Sequence, residues 1–146
     1  PFIPMPEKIR FFRNGVRFRL TESGLIKKWL EKVARKEGGR LEGLNYIFCT
    51  DTYLLEMNRT HLGHDYFTDI ITFDLSVDSG LITGDIYISV DRVRENATEF
   101  KEPFSRELQR VMVHGLLHLL GYKDKTKAEK EAMRRKEEAC LSLLKK

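Results

Sequence analysis

Residues Val113 to Asp124 read Val-His-Gly-Leu-Leu-His-Leu-Leu-Gly-Tyr-Lys-Asp, and no other stretch constrains the chain as tightly. His114 and His118 stand four residues apart in an apolar run, and four steps of about 100° nearly close a helical turn, so both imidazoles share one face. Gly121 can end that helix in a left-handed conformation, after which the chain turns and Asp124 brings an oxygen ligand. Two imidazoles and one carboxylate make three corners of a tetrahedral metal site. The fourth is left to water, as in a catalytic rather than a structural zinc centre. The bland alternative is a pair of core histidines bonded to backbone. Leu108, Val111, Met112, Val113, Leu116, Leu117, Leu119 and Leu120 surround them, however, and burying two unpartnered imidazoles there costs a few kcal/mol. A shared metal removes that penalty.

The spacing also matches a peptidase signature, His-Glu-x-x-His-x-x-Gly-x-x-His. There the Glu after the first His is the general base. Here that position is Gly115, which cannot take a proton, and proteolysis is disfavoured.

His114 to Tyr122 resembles the signature of the YbeY family, bacterial rRNA maturation factors that are single-strand-specific metallo-endoribonucleases. Thr68-Asp69-Ile70-Ile71-Thr72-Phe73 is similar to that family's Thr-Asp-Val-Leu-Ser-Phe, and Gly84-Asp85-Ile86-Tyr87-Ile88-Ser89 to its Gly-Asp-Ile-x-Ile-Ser. The resemblance runs in order from about Leu44 to the end of the chain. It implies a zinc-dependent endoribonuclease for single-stranded RNA that acts on rRNA at the small ribosomal subunit, in maturation and quality control. Two positions depart from the family pattern. Asp124 stands where a third His is usual, and counting back from Thr68 through Asn58 puts Leu62 at the family's arginine, with Arg59 out of register. Met133 falls where the family often has Met, either as a floor beneath the metal or as helix core.

The metal set is therefore His114, His118 and Asp124, holding one zinc ion; the oxygen ligand also admits another divalent metal. Arg110 lies one turn before His114 on the same stripe and is the candidate catalytic cation. Its alternative is a surface salt bridge with Glu107. Asp69 and Asp85 are candidates to orient the imidazoles, with capping or turn roles as alternatives. His61, His64 and Asp65 make a second metal site conceivable, against a plain polar loop. No nucleotide cofactor is expected. Two other readings stay open: a different metallohydrolase, peptidase included, and a non-catalytic ribosome-associated factor.

The 146 residues suit one domain spanning 1–146, and an apolar fraction of 41% without a run near twenty residues argues against a membrane span. The start, Pro1 to Pro6, lacks a signal peptide's charged and apolar regions. Cys49 and Cys140 stand apart without metal-type spacing, so a reduced cytoplasm is the expected setting. The net charge of +4 hides a split: residues 1–40 hold 11 Lys+Arg against 4 Asp+Glu, residues 41–100 hold 3 against 11, and residues 101–146 hold 12 against 7. Brought together, the basic ends attract phosphate; left apart, they are solvated helix faces.

Pattern predicts an α+β domain, a mixed sheet of about four strands with helices packed on it. Lys8–Phe12 and Val16–Leu20 alternate around Asn14-Gly15, a hairpin signal that places Arg10, Arg13, Arg17 and Arg19 on one basic ribbon. Thr21 is read as the cap of a helix to about Lys36, Asp51 as the cap of one to Thr60, and Ser105 as the cap of the metal-bearing helix. Strands are expected at Leu44–Cys49, Asp69–Leu75 and Leu81–Val90, with Val77–Gly80 as a turn. A further helix is expected from Asp91 to about Phe100, and Thr126 with Glu129 opens a last helix to about Leu144.

Overall fold

In the computed structural model, residues 7–78 and 80–144 are described. Pro1–Pro6, the stretch compared with a signal peptide, Ser79 of the predicted turn, and the last two residues lie outside them. The order is β1 (Ile9–Asn14), α1 (Ser23–Lys36), β2 (Arg40–Cys49), α2 (Asp51–Leu62), β3 (Ile70–Asp74), β4 (Leu81–Ser89), α3 (Val90–Glu99), α4 (Phe104–Leu119) and α5 (Lys127–Ser142). The expected α+β architecture is present. Four strands form one mixed sheet in the order β1-β2-β4-β3, with β1–β2 and β2–β4 parallel and β3–β4 antiparallel.

Period-two alternation sorts the sheet's two faces. Leu44, Tyr46 and Phe48 of β2, with Ile82, Ile86 and Ile88 of β4, point into the main core beneath α1 and α4. Cys49, Ile71 and Tyr87 point the other way, where Leu54 and Met57 of α2 cover them. Two buried side chains tie the layers together. Tyr46 Oη donates to the Met112 carbonyl at 2.7 Å, and Trp29 Nε1 donates to the Cys140 carbonyl at 2.7 Å.

Helix α4 lies close to the sheet because glycines line the approach. A Cβ on Gly115 would come within 2.9 Å of Ile86 and 3.0 Å of Ile70. One on Gly84 would come within 2.8 Å of Leu119 and 2.9 Å of the Phe73 carbonyl. The side of α4 that carries Gly115 is thus pressed onto β4 and β3. The position of the peptidase base faces the sheet.

Several local expectations fail. Val16–Leu20 is not a strand, so there is no hairpin: β1 instead takes β2 as a parallel partner, and Phe18 turns into the core. Strand β2 begins at Arg40, four residues earlier than expected. Thr21 does not cap α1, whose N-cap is Glu22 in a left-handed conformation without a side-chain bond. Thr50, not Asp51, caps α2 through a bond from the Tyr53 amide, and that helix continues to Leu62. Ser105 is inside α4, which starts after Pro103. Proline fixes an extended entry there, and its ring leaves no N–H to be satisfied. The Thr126–Glu129 capping box is present as expected, and α5 ends at Ser142.

Candidate metal centre and the cavity beside it

Helix α4 places His114 and His118 one above the other, with ring centroids 4.6 Å apart. It ends in two backbone bonds, Gly121 N–H to the His118 carbonyl and Tyr122 N–H to the Leu117 carbonyl, with Gly121 at φ 106°. This is a glycine-dependent stop of the Schellman kind, and it throws the chain back over the helix end. Tyr122 then anchors the turn: its hydroxyl donates to Glu37 after α1, and Lys136 of α5 pairs with the same carboxylate at 3.1 Å. Two residues on, Asp124 faces the imidazoles.

The three ligand atoms form a small triangle. His114 Nε2 and His118 Nε2 are 3.0 Å apart, and Asp124 Oδ2 lies 3.3 Å and 3.2 Å from them. Ligand bonds of about 2.0–2.1 Å at tetrahedral angles put ligand atoms about 3.3–3.4 Å apart, close to this spacing. Among the described residues these are the only three of their kind that converge so.

Proton counting shows why a cation fits. His114 Nδ1 lies 2.6 Å from Glu137 Oε2. A carboxylate only accepts, so Nδ1 carries the hydrogen, and in the neutral ring Nε2 presents its lone pair to the triangle. Asp124 also only accepts. A single N–H, on His118 Nε2, would then be left for the two acceptors that face it, His114 Nε2 and Asp124 Oδ2. Burial opposes the charged form of His114, but the Glu137 hydrogen bond and the charges of Glu137, Asp124 and Asp69 outweigh it, and the pKa stands above the ordinary histidine value. The site recruits positive charge. These three residues could hold a divalent ion, which would supply it.

Glu137 was missed by sequence reasoning. A signal for it exists: on α5 it shares a stripe with Met133, Cys140 and Leu141, all buried, and a carboxylate on an apolar stripe needs a partner. Met133 itself is core, packed with Cys140 and Leu141.

A cavity of about 320 Å³ opens beside the triangle, between α3, α4, α5 and the start of β3, with His114, Asp124, Asp69, Asn96, Glu107 and Arg110 among its lining residues. Arg110 is not on the surface. It is 4% exposed, 3.4 Å from the buried Glu107 and 2.7 Å from Glu138 at the exposed rim, so the alternative pairing with Glu107 forms inside the protein rather than on its surface. Its Nε and Nη1 atoms lack hydrogen-bond alignment despite these short distances. Burial raises the pKa of Asp69 and of Glu107 above the usual carboxylate range.

The other candidates fall elsewhere. Asp69 accepts from Asn96 at 3.4 Å and lines the cavity without bonding to an imidazole. Asp85 accepts from Asn45, and strand alternation puts it on the sheet face away from α4, out of reach of the histidines. His61 lies in the last turn of α2, His64 meets the Tyr66 hydroxyl, and Asp65 pairs with Arg59, so no second metal group forms among the described residues. Leu62, at the family's arginine position, is exposed. Cys49 and Cys140 are buried free thiols; burial pushes them up to about 12 and about 11.

Known proteins resemble this chain over most of its length. The family model described as Endoribonuclease YbeY matches residues 15–145. Endoribonuclease YbeY of Cytophaga hutchinsonii is 55% identical over 139 residues, covering 95% of this chain and 97% of that protein. Its counterpart in Flavobacterium psychrophilum is 48% identical over 132 residues, covering 90% and 94%. A solution structure of a Thermotoga maritima protein superposes with a TM-score of 0.66 at 31% identity, covering 93% of this chain and 88% of that one.

Proposed function

We propose that this chain, which belongs to the endoribonuclease YbeY family, is a zinc-dependent endoribonuclease that cuts single-stranded RNA in small-subunit rRNA maturation and ribosome quality control. The observation that carries the metal-dependent reading is the triangle of His114, His118 and Asp124 at 3.0–3.3 Å, opening onto a polar cavity. A divalent ion bound there supplies Lewis acidity toward a phosphoryl oxygen and makes water a nucleophile near neutral pH.

The chain's own residues do the rest. His114, His118 and Asp124 bind, and Glu137 holds the His114 ring with Nε2 turned to the site. Gly115 offers no base, and its α-carbon faces Ile86 and Ile70, so a side chain there would not reach the ion; this weighs against a peptidase. Arg110 is the candidate cation for the phosphate, since it lines the same cavity as His114. The RNA-attracting surface would combine the basic ends, which do meet: Trp29 bonds to Cys140, and Lys136 to Glu37. No helix of the described residues is long and apolar enough to cross a membrane, and a cytoplasmic setting is proposed with the ribosome as partner.

Metal analysis of the purified protein, beside cleavage of matched single- and double-stranded RNA, tests the reading. Stoichiometric zinc and cleavage confined to single strands are expected, both lost in His114→Ala. An enzyme equally active after metal removal would overturn it.

A further inference from the structure

The cavity beside the triangle holds more than metal binding requires. Phe100, just after α3, is one of its walls and is 50% exposed. Asn96 stands one turn earlier on the same side of α3, and its only side-chain bond among the described residues is the long one to Asp69. Ile70 and Val111 give the cavity an apolar part. A volume of about 320 Å³ is at the small end of small-ligand pockets, about 300–1,000 Å³.

Charge narrows what enters. Leaving Asp124 to the metal, three carboxylates, Asp69, Glu107 and Glu137, face two guanidiniums, Arg110 and Arg134. Walls this rich in hydrogen-bond acceptors suit a neutral planar group rich in N–H donors. Resting on the reading of this chain as an RNA nuclease, we infer that the cavity is a nucleobase pocket for the nucleotide beside the cleaved bond, with Phe100 as its stacking wall, and that it favours bases with an exocyclic amino group over uracil. Cytosine presents an amino group where uracil presents a carbonyl oxygen, which the carboxylates repel. A base reaches the pocket only when unpaired and unstacked, which gives a physical ground for single-strand preference.

The test uses two readouts on the purified protein. Cytidine and uridine are titrated while the Phe100 ring resonances are followed by NMR, and cut sites are mapped in random-sequence single-stranded RNA. Expected are shifts at Phe100, cytidine binding about tenfold tighter than uridine, and a fall of about tenfold in cytidine affinity in Phe100→Ala, within the range for removal of a stacking ring. Uridine should be depleted at one position flanking the cut, and Asp69→Asn should narrow the cytidine–uridine difference. Equal binding of the two nucleosides, or unmoved Phe100 signals, overturns the pocket even if RNA is cut. Biased nucleoside binding without any RNA cleavage supports the pocket and sinks the nuclease reading instead.

Discussion

At the scale of single residues, the bond between His114 and Glu137 decides how the centre is prepared. A carboxylate on the far ring nitrogen fixes the tautomer and raises the basicity of the ligand nitrogen, and removing such a partner typically weakens metal binding by about 10–100-fold. Glu137→Gln should show a reduction of that size in a competition titration with a chelating dye, with the circular dichroism spectrum unchanged; wild-type affinity would reduce Glu137 to a packing role. His114→Ala and His118→Ala should each lose the ion, and zinc retained at full stoichiometry by the double variant would refute the ligand set. Asp124→His should bind at least as tightly as the parent, because it restores the family's usual nitrogen ligand, and Asp124→Ala should bind more weakly. Arg110 is harder to isolate, since its guanidinium sits among Glu107, Glu137 and Glu138. If it meets the phosphate, Arg110→Ala with its metal intact should cleave about a hundredfold more slowly, the size of the effect when one transition-state donor is removed. Arg110→Lys keeps the charge and guards against simple unfolding. Cleavage by both variants within about twofold of the parent would make the arginine structural.

At the scale of elements, the site depends on how near α4 comes to β4. Two effects compete in Gly115→Ala. Helix propensity favours alanine by about 1 kcal/mol, whereas forcing a methyl against Ile86 and Ile70 costs about 1–3 kcal/mol. Ile86 is fully buried and cannot swing away, so net destabilisation is expected. Gly84→Ala should be worse, because its methyl meets the Phe73 carbonyl oxygen, part of the backbone rather than a movable side-chain end. Urea midpoints should therefore fall in the order parent, Gly115→Ala, Gly84→Ala. A Gly115→Ala protein more stable than the parent would show that the helix has room to ride higher on the sheet.

At the scale of the whole molecule, charge and topology set the candidate metal centre apart from the basic edge of the sheet. The metal helix packs over β4 and β3, while Arg10 and Arg13 belong to β1 at the opposite edge, two strand spacings or about 10 Å from β4. Arg17 and Arg19 follow on the irregular segment, not on a second hairpin strand. If this edge guides RNA toward the centre, replacing these four arginines by Gln should weaken RNA binding. It should also flatten the salt dependence by slightly under one log–log slope unit for each phosphate that is no longer neutralised. An unchanged slope would leave the edge as ordinary solvated surface.

Local chemistry alone determined much of this molecule. The two histidines, the glycine stop, Asp124 and the Thr126–Glu129 box are all specified by residues within one or two turns of each other, where helical geometry leaves little choice. The mixed sheet was also legible, since alternating apolar runs fix which faces are buried. Tertiary structure alone decided three further things. It turned the Asn14-Gly15 signal from a hairpin into the end of a parallel edge strand, because β2 outcompeted Val16–Leu20 as the partner of β1. It put Asp85 on the wrong face to serve the histidines, and it brought Glu137 to His114 across 23 residues of sequence. Periodicity reports which side of an element is buried. Which partner is buried against it depends on how the helices pack, and that is fixed only when the whole core closes.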